Sequence, residues 1–220
     1  MDKLLWDKWI KQWEWILQIA KRRKWDYEDI KIKPSVHISE IEKVETALRI
    51  TYPFEFKLIL SEYSSGVDLF WQTQNEETEG EFREVFRGGG RGYLWDFDQS
   101  EDLYEGYKGW VENCFSNPED PYDQVWHNKV PLLRVMNGDI IGFDTSRSKA
   151  NCPVIYLSHD DGDLHGYKLA DNFIEFVSCW SNIGCVGTED WQFKPFYDFD
   201  KMEITKTDPV IERWKLWLAK

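Results

Sequence analysis

The chain has 220 residues, which fits one domain with additions or at most two small domains, and its 42% hydrophobic and 30% charged content is ordinary for a soluble protein. The formal net charge of −13 disfavours direct binding to nucleic acid or to an anionic membrane and attracts basic partners instead. The four cysteines form no CxxC pair and no apolar run approaches the length of a membrane span, so we expect free thiols and a cytoplasmic protein.

The first predicted element is an amphipathic helix over residues 2–24. Its apolar residues recur at helical spacing and form one stripe: Trp6, Trp9, Ile10, Trp13, Ile16, Leu17 and Ala20. Basic residues at 21–24 end it, as cations favour a helix C-terminus. A tryptophan-rich stripe with a basic end could lie on a membrane surface. Docking against the rest of this acidic chain is the simpler interpretation.

A charged link, two helices and a strand are predicted next. Ser39 and Glu42 form a capping box that starts the first helix. Pro53 is placed to begin the second helix. The link spans residues 25–33, the second helix 54–63 and the strand 67–71.

Residues 72–92 are polar and rich in glycine. They lack the Lys-Ser/Thr ending and the strand–helix context of a phosphate-binding loop, so we interpret them as a connection over the sheet. An aromatic and acidic cluster follows at 95–102. Helices are predicted over 101–114 and 120–127.

The stretch from Val130 to Trp180 predicts four antiparallel strands followed by a helix. Asn137-Gly138 lies between two apolar runs and indicates a hairpin with a two-residue type I′ turn, which places Arg134 opposite Ile141. A third strand (153–158), a polar turn (159–163) and a fourth strand (164–169) follow. Asn172, with Glu175 three residues later, then caps a helix whose apolar residues have a period of 3.6.

The C-terminal part is an irregular aromatic segment followed by a helix. Asp208 is the predicted cap and Pro209 lies in the first turn. The apolar face of this helix consists of Ile211, Trp214, Trp217 and Leu218. That face needs an apolar surface to cover, so we expect the two terminal helices to pack together or both to cap the sheet.

Several of these segments resemble the SUKH superfamily. "VPLLRVMNGDIIGFDTS", "CPVIYLSHDDGD" and "LADNFIEFV" are similar to its second half, and "ISEIEKVETALRITYPFEFKLILSEYSSGV" to its first half, with Glu45 and Pro53 in place. One departure is Ser64-Ser65-Gly66, where the family usually has Asn-Gly. The resemblance implies an α+β fold with a mostly antiparallel sheet of about four to six strands covered by helices, to which this chain adds a helix at each end. The expected boundaries are 1–33, 34–185 and 186–220.

The search for catalytic chemistry finds no strong motif. Asp160-Asp161-Gly162-Asp163 superficially resembles a calcium loop but lacks the ligand spacing and the distal Glu, so a hairpin turn is the better interpretation. His159, His165 and the nearby Cys152 lack a fourth ligand for a zinc site. We therefore predict no metal, no cofactor and no enzymatic activity. A small hydrolase that uses the Asp-rich turn stays open as an alternative from another class.

Members of the superfamily include a fungal cell-wall-synthesis regulator and many bacterial immunity proteins. The resemblance therefore implies a protein that binds and neutralises a cognate toxin, which we expect to be a basic nuclease, and the alternative is a regulatory or scaffold domain without a toxin partner. We expect a monomer or weak dimer that binds neither nucleic acid nor membrane. The candidate interface combines loop carboxylates with neighbouring rings: Trp71, Trp95, Asp96, Asp98, Glu101, Asp102, Tyr104, Asp160, Asp161 and Asp163.

Overall fold

The chain forms two four-stranded antiparallel sheets with helices packed around them, in a computed structural model that describes residues 2–74, 80–90, 92–146, 148, 152–207 and 209–220. The helices are α1 Lys3–Arg23, α2 Ile38–Leu48, α3 Phe54–Glu62, α4 Ser100–Asn113, α5 Pro121–Trp126, α6 Phe173–Asn182, α7 Asp190–Phe193 and α8 Pro209–Ala219. The strands are β1 Asp26–Ile32, β2 Gly66–Gln72, β3 Arg87–Gly88, β4 Tyr93–Asp96, β5 Lys129–Arg134, β6 Ile140–Asp144, β7 Val154–Leu157, β8 Lys168–Ala170, β9 Tyr197–Asp198 and β10 Glu203–Ile204.

The strands confirm the α+β class but divide into two larger sheets rather than one. In the first sheet, β1 and β4 both pair with β2, and β3 continues along the same edge as β4. In the second sheet, β5, β6, β7 and β8 pair in chain order, as predicted. The link expected over 25–33 was wrong, because β1 pairs with β2 although its side chains are mostly exposed and charged. An exposed edge strand shows no apolar alternation from which it could be recognised.

The hairpin at Asn137-Gly138 exists, but its turn is one residue longer than predicted. The Val135 N–H donates to the Asp139 carbonyl at 2.8 Å, and the Gly138 N–H donates to the Val135 carbonyl at 3.2 Å. Of the two turn residues only Gly138 has a positive φ, 107°. This is a three-residue loop that ends in a bulge. Arg134 therefore pairs with Ile140 rather than Ile141, and the predicted register was wrong by one residue.

The second sheet is buried on both faces. Ile141 and Tyr156 belong to the main core, which they share with the first sheet, α1, α3 and α6. Their neighbours Ile140, Ile155 and Leu157 point to the opposite face and pack under α4 and α5. Successive residues of a strand alternate between faces, so β6 and β7 carry uninterrupted apolar runs. The acidic elements α4 and α5 are held in place by this second core.

Helix α1 docks on the domain, as predicted from its stripe. Trp9 and Trp13 are fully buried, and their indole N–H groups donate to Ser178 at 3.0 Å and Ser181 at 2.8 Å. The two terminal helices also meet, because Arg22 donates to the Leu218 carbonyl at 3.2 Å. Among the helices that the structure describes, none has the apolar length that a bilayer crossing needs.

Two of the three predicted helix caps can be compared with the structure. Asn172 accepts from the Glu175 N–H at 2.9 Å, which confirms the cap of α6. Helix α2 begins two residues earlier than expected, and His37 rather than Ser39 is its cap. The predicted cap Asp208 lies outside the described residues.

The glycine-rich connection 72–92 is partly outside the described residues, at 75–79 and 91. In its described part, Phe82 and Val85 are buried, and Gly88 pairs with Trp71 across β3 and β2. A Cβ at Gly88 would lie 2.1 Å from Trp71 Nε1, so only glycine lets the two strands approach this closely. This connection is therefore built into the sheet rather than laid over it.

Candidate functional site

Two of the predicted interface residues are core residues. Trp71 and Trp95 are fully buried, and their indole N–H groups donate to the carbonyls of Gly184 at 2.7 Å and Ser64 at 3.2 Å. Their strands turn these side chains toward the main core, where Trp71 stacks on Trp25 at 5.3 Å. The prediction that they are contact residues was wrong, because neither ring reaches the surface.

Asp96 and Asp98 share one lysine at the start of α4. Lys33 Nζ lies 2.7 Å from Asp96 Oδ1 and 2.9 Å from Asp98 Oδ2. Partial burial opposes the charge of Lys33, but its hydrogen bonds to the two carboxylates outweigh this and raise the pKa of Lys33. The Asp96 side chain is 9% exposed and that of Asp98 is 63% exposed. Asp96 therefore has a structural role, and Asp98 is the one that a partner can reach.

Glu101 and Asp102 are exposed in the first turn of α4, where carboxylates interact favourably with the helix dipole. Asp102 also lines a cavity of about 280 Å³ beside Arg134, whose Nη2 donates to the Asp102 carbonyl at 3.1 Å. Tyr104 follows on the same helix and is half-buried. A partner can therefore reach all three predicted residues near the N-terminal end of α4.

The remaining predicted carboxylates lie in the turn after β7. Asp160, Asp161 and Asp163 are all exposed. Asp163 forms an ion pair with Lys194 at 2.6 Å, and the Asp161 N–H donates to the Tyr122 hydroxyl at 3.0 Å. The Tyr122 contact joins this turn to α5, and His159 of the same turn packs against Trp110 in the C-terminal half of α4.

A buried carboxylate that the sequence did not reveal holds this turn in place. Asp139 is 1% exposed and accepts four hydrogen bonds. The donors are the Tyr156 hydroxyl at 2.7 Å, Asn137 Nδ2 at 2.8 Å, the His159 N–H at 2.8 Å and His159 Nδ1 at 2.6 Å. Burial and the charge of Asp139 raise the pKa of Tyr156 far above its usual range. The phenol therefore stays protonated and donates its hydrogen bond to Asp139. Sequence reasoning placed Asp139 only at the start of the returning strand, since nothing local marks it as buried.

Asp139, His159 and Asp160 also lie close enough together to suggest a metal centre, with possible ligand atoms within 4.8 Å of one another. A carboxylate has about four acceptor positions, and four donors already occupy those of Asp139. Asp139 has no lone pair to spare for a cation. The arrangement fits an anchoring network better than a metal site.

Aromatic rings lie next to the turn after β7. The half-buried Trp110 of α4 packs against His159 with ring centroids 4.9 Å apart, and Tyr122 stacks on His165 at 3.7 Å. Burial lowers the pKa of His165, so its Nδ1 accepts the Ser158 N–H at 3.1 Å. Large rings with one open side are suited to contact a partner. Trp110 and Tyr122, both missed from the sequence, replace Trp71 and Trp95 as candidate contacts.

Negative charge is concentrated in this part of the sequence. Residues 96–123 contain nine carboxylates and one lysine, whereas residues 2–24 contain three carboxylates and seven basic residues. We call residues 96–123 together with Asp160, Asp161 and Asp163 the acidic face. Several of its exposed carboxylates form no ion pair with any described residue: Glu101, Asp102, Glu112, Glu119, Asp160 and Asp161. A surface of this kind attracts a basic partner.

Comparison with known families gives one match. The model of the SMI1 / KNR4 family (SUKH-1) matches residues 35–179, well over half of the chain. The matched segment runs from just before α2 into α6 and includes the whole acidic face, whereas α1 and α8 lie outside it. No curated protein and no solved structure matches the chain significantly.

Proposed function

Because the chain belongs to the SMI1 / KNR4 family (SUKH-1), we propose that it is a cytoplasmic immunity protein that binds and neutralises a cognate bacterial toxin. The partner that fits best is a basic nuclease-type toxin, and the contact surface is the acidic face. The observation that carries this proposal is that residues 96–123 contain nine carboxylates and only one lysine.

The physical reason is charge complementarity. An enzyme that cleaves nucleic acid needs basic groups to hold phosphates. Unpaired carboxylates on α4 and in the turn after β7 present a similar pattern of negative charge to such a surface. Electrostatic steering then accelerates association, and the bound protein blocks access of nucleic acid to the toxin.

Affinity needs more than charge, because exposed ion pairs contribute little by themselves. Trp110 and Tyr122 offer apolar area beside the turn that carries Asp160, Asp161 and Asp163. The four hydrogen bonds of Asp139 hold the adjoining turn in one conformation before the partner arrives. Preorganisation of this kind lowers the entropy that binding must remove.

We propose that the chain acts by binding and not by catalysis. A nucleophilic cysteine needs a lowered pKa. Burial instead raises the pKa of Cys152 and of Cys179 to about 11, and it raises that of Cys185 further. His159 and Asp139 bond to each other within the network that holds the turn. These features support a role as a binding protein.

The test uses the protein encoded directly upstream of this chain's gene, where the toxin of an immunity pair is expected. Association rates are measured at about 0.05 M and 0.5 M salt for the wild type and for a variant with Glu101→Gln, Asp102→Asn and Glu112→Gln. We expect the variant to associate about tenfold more slowly at low salt, with the difference shrinking at high salt because ions screen exposed charges.

The control changes the same number of charges elsewhere. Asp26→Asn, Glu28→Gln and Asp29→Asn alter three exposed carboxylates of β1. If both triple variants slow association equally, the acidic face is not the contact surface. If the upstream product binds but is not a toxin, the chain is a regulatory or scaffold domain instead.

A further inference from the structure

A groove between α1 and α8 is lined by lysines, and its charge is therefore opposite to that of the acidic face. It encloses a cavity of about 490 Å³, within the range of small-molecule sites. Its polar and aromatic lining consists of Lys8, Lys11, Gln12, Trp15, Asn182 and Lys215. All of these residues lie outside the segment matched to the family, so the groove belongs to the elements that this chain adds to it.

One face of α1 supplies most of the groove. Lys8, Lys11, Gln12 and Trp15 are spaced at i, i+3, i+4 and i+7 and therefore share a side of the helix. Trp15 does not belong to the apolar stripe that buries Trp9 and Trp13, and it stays half-buried at the surface. An indole in this position offers a flat apolar wall.

The groove is positively charged although the protein as a whole is acidic. Lys8 and Lys11 form no ion pair or hydrogen bond with any residue that the structure describes, and Lys215 approaches from α8. Lys215 Nζ donates to Asn182 Oδ1 at 2.8 Å, which fixes its ammonium group at the groove. Three lysines without a lining carboxylate select an anion.

One lining residue has a polar atom that lacks a partner. Gln12 Oε1 is buried and accepts no hydrogen bond in the described part of the chain, although Gln12 Nε2 lies 3.5 Å from Asn182 Oδ1. A buried acceptor without a donor costs free energy that a ligand can recover. Because Oε1 is shielded from solvent, a ligand bonds to it when the Gln12 amide turns toward the groove, and the missing component is then an N–H or O–H group next to the indole wall.

We propose that this groove binds a small organic anion in which a flat ring with a hydrogen-bond donor carries a phosphate group, which is the chemistry of a nucleoside phosphate. The ring packs on Trp15 and donates to Gln12 Oε1 once the Gln12 amide turns toward it, and the phosphate lies among Lys8, Lys11 and Lys215. An adjoining cavity adds Glu175 and Glu212 beside Lys206, so negative charge limits the site on that side. The site is independent of the acidic face and does not require the proposed function to be right.

The test is calorimetric titration of the full chain with adenosine 5′-monophosphate at about 0.15 M salt. We expect saturable binding at one site. Adenosine and inorganic phosphate, which each supply half of the ligand, should each bind at least about tenfold more weakly. Saturable binding that phosphate reproduces with equal affinity would overturn recognition of the ring, and the absence of saturable binding would overturn the site.

Variants locate the site. Lys8→Gln with Lys11→Gln should weaken binding at least about tenfold, and Trp15→Ala should weaken it more than Trp15→Phe, which keeps a ring. Lys3→Gln with Lys21→Gln removes the same charge from exposed positions of α1 outside the groove. Equal weakening by both lysine pairs would mean that the response reports overall charge, and the proposal would be wrong.

Discussion

Replacing Asp139 by asparagine tests the hydrogen-bond network under the acidic face. The carboxylate accepts two bonds at each oxygen. Asparagine keeps one oxygen and presents an NH₂ group to the other two donors, so two of the four donors lose their acceptor. Each unsatisfied donor costs about 1–3 kcal/mol, so we expect a loss of about 3 kcal/mol or more in the free energy of unfolding. For a chain of this size the melting temperature should fall by about 6–12 °C.

The assay is urea and thermal unfolding followed by circular dichroism, with Tyr156→Phe as the second arm of a double-mutant cycle. Tyr156 donates to Asp139 Oδ2, so removing its hydroxyl in the Asp139→Asn background also removes one of the stranded donors. The double variant should therefore lose at least about 1 kcal/mol less than the sum of the single variants.

Asp160→Asn is the matched control, because Asp160 is exposed on the same turn. It should change stability by no more than about 0.5 kcal/mol. If Asp139→Asn is as mild as this control, the carboxylate does not hold the turn, and the argument for a preorganised acidic face is refuted.

Three further predictions concern the core, the thiols and pH. Trp13→Ala removes a fully buried indole and should cost about 3–5 kcal/mol in urea unfolding; a loss below 1 kcal/mol would show that α1 does not belong to the core. Cys114 is the exposed cysteine and the other three are buried, so one thiol should react rapidly with a thiol reagent in native protein and Cys114→Ser should abolish that phase. Burial opposes ionisation of Asp144, but hydrogen bonds from Ser146 and Lys129 outweigh it and lower its pKa. Its contribution to stability is therefore present above the unfolded pKa of about 3.9 and lost as pH falls through the folded value, so Asp144→Asn should flatten the acid limb of a stability–pH curve.

Local patterns were sufficient for several elements of the fold. The stripe of α1, the cap at Asn172 and the apolar runs of β6 and β7 are properties of short segments, and periodicity identifies them. Strand β1 was not predicted, because an exposed edge strand derives its stability from pairing with β2, which lies about 40 residues away. The length of the hairpin turn was wrong by one residue. The Asn137 side chain accepts a hydrogen bond from the Asp139 N–H at 3.0 Å, and Asn137 does not adopt the positive φ that the predicted turn needs.

The candidate site was likewise predicted only in part from the sequence. Runs of carboxylates in α4 and in the turn after β7 are visible in the sequence, and the structure brings them together through Tyr122 and Trp110. Nothing local distinguishes these half-buried rings from Trp71 or Trp95. The difference arises from which face of each element meets another part of the chain.

For this protein, the sequence alone determined the α+β class, the family resemblance, the acidic excess and the amphipathic character of both terminal helices. The tertiary structure alone decided which tryptophans are buried, that Asp139 is fully enclosed, and that α1 and α8 form a basic groove. The physical reason is range: periodicity and charge are local properties, whereas burial depends on contacts between distant residues. Trp71 shows this directly, since its indole bonds to the carbonyl of Gly184, 113 positions further along the chain.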